Sequence, residues 1–364
     1  MFFCVRCVVP PAQNRIAMKR QPPFLKLFVG AVILFSGITF LTRTSSETPV
    51  VVVYCAHDSV FADEMLRLFE QRSGIRVQVL YDEEASKSLG LTQRLLAERD
   101  SPRCDVYWNN QTLGTERLRL AGVLQPCAAE WCDRIPERFR ASDLQWCGFA
   151  ARLRVWIFQT SQGEWNPQRI AEVMASGDLS KVAIAVPLFG TTLTHYTEIC
   201  HDTSLANLQQ WHVSLHERGI REVRGNGAVR DLVAAGVCEL GLTDTDDAFA
   251  AIDDGASVGI LPVRLAGGRT ICIPNTVAMI RECPHPESAE KLIRFLLSEE
   301  AEVLLANSQA RQIPLGAVSS EDLPDDVVEL LPWAADGGTP AAAAAADQAV
   351  LEWLQEFYAG PVAE

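Results

Sequence analysis

The 364-residue chain contains no G-x-S-x-G nucleophile elbow, no H-E-x-x-H zinc helix and no Walker loop, so the usual signatures of serine hydrolases, zincin proteases and nucleotide-driven enzymes are missing. Positive charge is also scarce. Thirty-two Lys and Arg stand against 46 Asp and Glu, a formal net charge of −14, which argues against a nucleic-acid backbone or an anionic membrane surface as the main partner. Long apolar runs are few. The one near the N-terminus, residues 27–41, is shorter than the ~20 residues that span a bilayer comfortably.

That run follows Arg15, Lys19, Arg20 and Lys26, the order of charged and apolar regions in an export signal. Met18 offers a second start. No A-x-A site follows and no Cys closes the run to take a lipid, so residues 1–46 read either as a cleaved signal peptide or as an N-terminal anchor, with the remainder exported. Export permits disulfides. Of the cysteines beyond residue 46, Cys127 and Cys132 are the expected bridge, with Cys147 as a competitor and Cys272 with Cys283 as a second pair. Cys55, Cys104 and Cys238 lie in apolar runs and are expected as buried thiols. The Cys4-x-x-Cys7 motif lacks the second pair of ligands that a zinc site needs.

What is present is a globular composition, 48% hydrophobic and 21% charged, long enough for two domains with cores of their own. Residues 50–54 are a β-branched run that leads to His57, and Phe61, Met65, Leu68 and Phe69 then mark an amphipathic helix stopped by Gly74. Residues 75–81 alternate as a strand ending at Tyr81, Asp82, Glu83 and Glu84. A helix with Leu91, Leu95 and Leu96 follows, and a third strand, 104–108, empties into Asn109, Asn110 and Gln111. Three strand-helix units in succession predict a doubly wound parallel sheet, with these polar strand ends gathered on its ligand-binding carboxyl edge.

Residues 151–158 alternate with period 2 and open a second α/β series. Asn166 and Pro167 start a helix, residues 182–186 form a buried strand, and Gly190, Thr191 and Thr192 follow at a helical first turn that either caps the helix or holds an anion. The helix 204–218 has Leu205, Leu208, Trp211 and Leu215 as its apolar stripe. His212 and His216 are four apart on it, and with no Glu after His212 they read as surface histidines. Gly225, Asn226 and Gly227 open another helix. The apolar run 237–242 then stops at Asp244, Asp246 and Asp247, three carboxylates in four residues, where capping and ligand binding both remain open. Strands 258–263 and 269–280 return toward the first unit, one helix over 286–307 is expected to pack across both domains, and an alanine-rich segment leads a terminal helix to Tyr358. The expected division is 1–46, signal or anchor; 47–150, first lobe; 151–262, second lobe; 263–335, return and packing helices; and 336–364, the C-terminal helix.

Residues 53–58 with their helix, 74–77, 95–108, 122–126 and 236–248 together resemble the substrate-binding proteins of ABC importers, and within them the ferric-iron-binding, transferrin-like group of extracellular solute-binding family 1. The likeness runs diffusely over 50–310. It implies an α/β, two-lobed periplasmic-binding-protein fold, each lobe a mostly parallel sheet flanked by helices, with the ligand cleft between lobes. It further implies a monomeric, non-enzymatic, periplasmic receptor, either free or held to the inner membrane by its N-terminal segment, that delivers its cargo to a membrane permease.

In that group Fe³⁺ is held by a histidine, a glutamate and two adjacent tyrosines, with an exogenous anion completing the shell. His57 matches the histidine. Asn110, beside Gln111, stands at the glutamate, and Asp246 and Asp247 stand at the tyrosines. Asp244 replaces an anion-touching asparagine, while Asn226, Gly190, Thr191 and Thr192 match other parts of the anion surface. The resemblance therefore assigns His57, Asp246 and Asp247 to the metal, and Asn110, Gln111, Gly190, Thr191, Thr192, Asn226 and Asp244, joined by Tyr81, to the ligand surface. Carboxylate and amide oxygens in place of phenolates also fit other hard or borderline ions, and Tyr196 is a candidate substitute phenolate. The alternatives are a small organic solute, an amine packed against Tyr81 or Trp108 or a phosphonate-type anion; an exported metal-dependent hydrolase using His57 and the three aspartates; and an anchored sensor that has lost its ligand.

Overall fold

The β-branched runs become strands at one side of a ten-stranded sheet. The computed structural model describes residues 48–57, 59–82, 89–338 and 340–359; residues 1–46, expected as a signal or anchor, and Asp58, Glu83 and Glu84 lie outside the described residues. Strand β1 (Val50–Cys55) is followed by α1 (Ser59–Ser73), β2 (Arg76–Tyr81), α2 (Leu89–Ala97), β3 (Val106–Asn109) and α3 (Leu113–Leu120). β1 lies parallel to both β2 and β3, with Cys55 opposite Tyr81 and Trp108. The three strand ends therefore share one edge, as the strand-helix repetition predicts. A two-residue β4 (Leu124–Gln125) and a single-turn α4 (Ala129–Cys132) then lead to the longest strand, β5 (Cys147–Gln159).

β5 joins the two lobes. Its first half, through Leu153, pairs antiparallel with β10 (Cys272–Ile280), and from Arg154 onward it pairs with β8 (Leu240–Asp244) and β9 (Val258–Pro262). At the crossing the ladder with β10 shifts between Pro274 and Asn275, and Ala150 takes a φ of 40°. A bulge there bends the strand and turns its two halves toward different lobes. The second lobe is completed by α5 (Pro167–Ala175), β6 (Val182–Ala185), α6 (Gly190–Asp202), α7 (Leu205–Glu217), β7 (Arg221–Val223), α8 (Asn226–Ala234) and α9 (Thr245–Asp253). β6 runs parallel to β7 and β8, giving the order β2-β1-β3-β10-β5-β8-β6-β7. This is the two-lobed α/β architecture expected from the sequence, but the sheet is mixed where mostly parallel lobes were expected, because β5 and β10 run antiparallel to their neighbours.

Several local expectations are corrected. The segment 286–307 is two helices, α10 (Pro286–Leu296) and α11 (Glu299–Ala306), because the Ser298 hydroxyl accepts the Ala301 N–H at 3.1 Å and starts a new one. α10 packs on β10, β1 and β3, so it serves the first lobe alone. After α12 (Asp325–Ala335), the alanine-rich segment forms α13 (Pro340–Ala359), which packs on α3 of the first lobe and α6 of the second. All nine cysteines among the described residues are free thiols. The turn of α4 sets Cys132 beside Cys147, the competitor named in the sequence, and neither it nor Cys127 is bridged. No helix among the described residues is long and apolar enough to cross a membrane.

Tight packing behind β8 fixes its end. A Cβ on Gly241 would lie 2.6 Å from Val229 Cγ1 and 3.0 Å from Val233 Cγ2, both short, stiff side chains of α8. Gly241→Ala is expected to destabilise the protein by ~1–3 kcal/mol, read as a lowered thermal midpoint. α6 contributes a pH effect. Burial, opposed by Arg269 and reinforced by Asp202, pushes the Glu198 carboxyl up from 4.5 to about 7. Between those values the folded chain keeps a proton that the unfolded chain has lost, so stability falls as pH rises through this window, by on the order of 3 kcal/mol. Glu198→Gln should flatten that slope in denaturant titrations at pH 4.5 and 7.5.

Candidate ligand cleft between the lobes

The stretch that ends β8 is the floor of a cavity of about 460 Å³ between the lobes. β8 stops at Asp244 and α9 begins at Thr245, so Asp246 and Asp247 occupy a helical first turn, where the exposed N–H groups favour negative charge. Two more helices start on the same cavity, α6 at Gly190 and α8 at Asn226. From the first lobe, Ser59, Phe61 and Asn110 close the other side.

Asp244 is tied down completely. Arg154 Nη1 donates to its Oδ1 at 2.7 Å, while the Thr191 hydroxyl and Asn226 Nδ2 donate to its Oδ2 at 2.5 and 3.0 Å. Arg154 also reaches Asn226 Oδ1 at 3.0 Å, and the Thr192 hydroxyl donates to that same oxygen at 3.1 Å. Thr191, Thr192, Asn226 and Asp244 thus form one polar network, as the sequence grouped them. Asp246 faces Arg152, Nε to Oδ2 at 3.3 Å. Asp247 accepts the Thr243 hydroxyl at 3.1 Å. Burial first, then the charges of Asp246 and Asp244, raise the Asp247 carboxyl well above the usual range against the pull of Arg230 and Thr243. Carboxylate oxygens of the three aspartates lie within 4.8 Å of one another, close enough to share one cation.

Other expected site residues sit elsewhere. His57 is 3% exposed, with Gln312 Nε2 2.9 Å from its Nε2 and Arg152 Nη2 3.4 Å from its Nδ1. It stands behind Arg152 and is not brought to the three aspartates. Gln111 turns its Oε1 onto the Leu113 and Gly114 N–H groups and starts α3. The Tyr81 hydroxyl donates to Asp63, and Tyr81 does not line the cavity. Trp108 is fully buried between His57 and Phe149, and Tyr196 is buried with its hydroxyl on His212. Neither can meet a ligand; Phe61 and Phe189 are the aromatic walls. Asn110 alone of that set faces the cavity, and its buried Oδ1 has no hydrogen-bond partner.

The residues that sequence reasoning passed over are arginines. Arg152 and Arg154 are buried, the latter at 0% exposure, and with Arg230 they set three guanidinium groups against three carboxylates. Nε and Nη2 of Arg154 are buried without hydrogen-bond partners. The signal was available: two charges two residues apart occupy the same face of an otherwise apolar strand.

Two α/β lobes joined through crossing strands, with helix N-termini aimed into a polar cleft, define the class as a periplasmic substrate-binding protein fold. No protein-family model matches the sequence. Over 284 residues, 74% of this chain and 76% of the relative, the sequence is 24% identical to iron uptake protein A1 of Synechocystis sp.. Among solved structures, iron-bound HitA of Pseudomonas aeruginosa superposes with a TM-score of 0.71 at 16% identity, covering 84% of this chain and 99% of that one. AfuA of Actinobacillus pleuropneumoniae, a periplasmic binding protein with fructose-6-phosphate bound, gives 0.68 at 16% identity, covering 86% and 100%. The chain is therefore similar to the ferric-iron-binding group that residues 50–310 resemble.

Proposed function

We propose that this chain is the non-enzymatic substrate-binding component of an ABC uptake system, carrying ferric iron with a small anion in the interlobe cleft and delivering it to a membrane permease from the periplasmic side. The observation that carries the proposal is the convergence of Asp244, Asp246 and Asp247 carboxylate oxygens within 4.8 Å on the cleft floor, in a fold whose similar proteins include one named for iron uptake and one with iron bound. Hard oxygen donors suit a hard cation. To bind it, Asp246 would exchange the Arg152 guanidinium for the ion and Asp247 would add its ionised carboxylate. The displaced guanidinium, Arg154 and the α6 and α8 N-termini would then receive the anion through Thr191, Thr192 and Asn226. Asn110 would offer its carboxamide oxygen from the first lobe as the lobes close. His57 enters this scheme as the support of Arg152.

A second reading rests on the arginines. Arg152, Arg154 and Arg230 face the cleft floor, the raised Asp247 pKa favours its neutral form over a third negative charge, and a phosphorylated or phosphonate-type organic solute would satisfy the guanidiniums without a metal, as the likeness to a sugar-phosphate-bound neighbour supports. Thermal unfolding with ferric citrate, citrate alone and a sugar phosphate separates the two. The iron proposal expects a midpoint rise of several degrees with ferric citrate only; a rise with the sugar phosphate and none with ferric citrate would replace it with the second reading.

A further inference from the structure

The helical histidine pair does not line the cleft, and His212 is not at the surface. His212 is fully buried and His216 is part-covered, both on α7, while Glu222 reaches them from β7. α13 closes over the group. Trp353, Phe357 and Tyr358 pack around His212, with the Phe357 ring centroid 4.7 Å from the imidazole. One nitrogen of His212 is oriented from behind, since its Nδ1 lies 2.9 Å from the Tyr196 hydroxyl. That contact leaves Nε2 directed toward Glu222 and His216. His216 Nε2 is buried, makes no hydrogen bond, and lies 3.5 Å from Glu222 Oε1. The Tyr358 hydroxyl fills the space between, hydrogen-bonded to Glu222 and 3.4 Å from His212 Nε2.

We infer that His212, His216 and Glu222 form a binding site for a borderline divalent cation, Zn²⁺ above all, beneath the end of α13. Two imidazole nitrogens four residues apart on one helix, with one carboxylate oxygen, are a zinc donor set; one ligand atom from each lies within 4.8 Å of the others. The Tyr196 contact on the far nitrogen is the outer support that metal-bound histidines generally have. Tyr358 holds the fourth position, either as an oxygen ligand or as a plug that swings out to admit water. The site is separate from the cleft and independent of what the cleft carries. Because α13 packs on α3 and α6, an ion that takes Tyr358 as its fourth ligand would anchor to the second lobe the end of a helix that touches both.

The test uses the full exported chain without a polyhistidine tag, dialysed against Zn²⁺ and assayed for bound metal. The wild type and an Asp246→Asn, Asp247→Asn variant should each retain one zinc per chain that His216→Gln and Glu222→Gln bind at least tenfold more weakly. X-ray absorption of the wild-type complex should show two imidazole nitrogens at about 2.0 Å. Equal zinc affinity in His216→Gln and the wild type, or absorption spectra without imidazole ligands, would overturn the assignment even if a variant folds poorly. Loss of all zinc in the cleft variant would likewise assign the metal to the aspartates.

Discussion

Asp247→Asn is expected to leave the ligand-free protein as stable as the wild type at pH 7 while weakening ferric-iron binding about a hundredfold or more, ~3 kcal/mol. The two effects separate because Asp247 is poor for stability and good for a cation. It is half-buried beside Asp246 and Asp244, and desolvation together with their charge raises its carboxyl well above the usual range. An asparagine has the same shape and keeps an oxygen for the Thr243 hydroxyl, so little changes in the empty cleft. As pH rises through the raised pKa of Asp247, the wild type loses stability and the variant does not, which makes the variant the more stable protein at high pH. The iron complex, in contrast, needs the charge that the substitution removes. Denaturant titrations and ferric-citrate binding curves on both proteins check the pair of outcomes; equal iron affinity would remove Asp247 from the donor set.

Arg154→Met should have the largest effect on folding. The guanidinium is fully buried and donates to Asp244 at 2.7 Å and Asn226 at 3.0 Å. Its loss strands the Asp244 carboxylate inside the protein with only neutral donors from Thr191 and Asn226, a change that typically costs ~3–5 kcal/mol. Adding Asp244→Asn to Arg154→Met removes the stranded charge and is expected to restore most of that loss, because a neutral pair of similar volume has no buried ion to solvate. Thermal midpoints of the two single variants and the double variant give the coupling directly. Purely additive losses would mean that the pair does not set the shape of the cleft floor.

Much of this arrangement was legible in the chain. The apolar run before Asp244 and the carboxylates after it marked a strand end entering a helix, and the polar groups after β1 and β3 fell on the predicted edge because parallel strands separated by helices align their carboxyl ends. What the sequence hid depends on segments far apart along it. His212 was read as solvent-facing although it stands four residues after Leu208 and three before Leu215, on the apolar stripe of its own helix, and α13, more than a hundred residues later, covers that face. His57 had the right place after β1 but not the right neighbours, since Gln312 and Asn275 enter from segments that return much later. Local spacing likewise favoured a Cys127–Cys132 pair, whereas a helical turn and the start of β5 bring Cys132 to Cys147. Arg152 and Arg154 were visible as a period-2 pair, and reading buried charge as a site signal would have found them.

The most direct test of the cleft assignment is metal analysis of protein purified from its native compartment, combined with thermal unfolding before and after chelation, for the wild type and for the Asp246→Asn, Asp247→Asn variant. The account predicts close to one iron per wild-type chain, a midpoint that falls on chelation and returns with ferric citrate, and neither iron nor a shift in the variant. Wild-type protein that carries no iron and whose midpoint ignores added ferric citrate would contradict it.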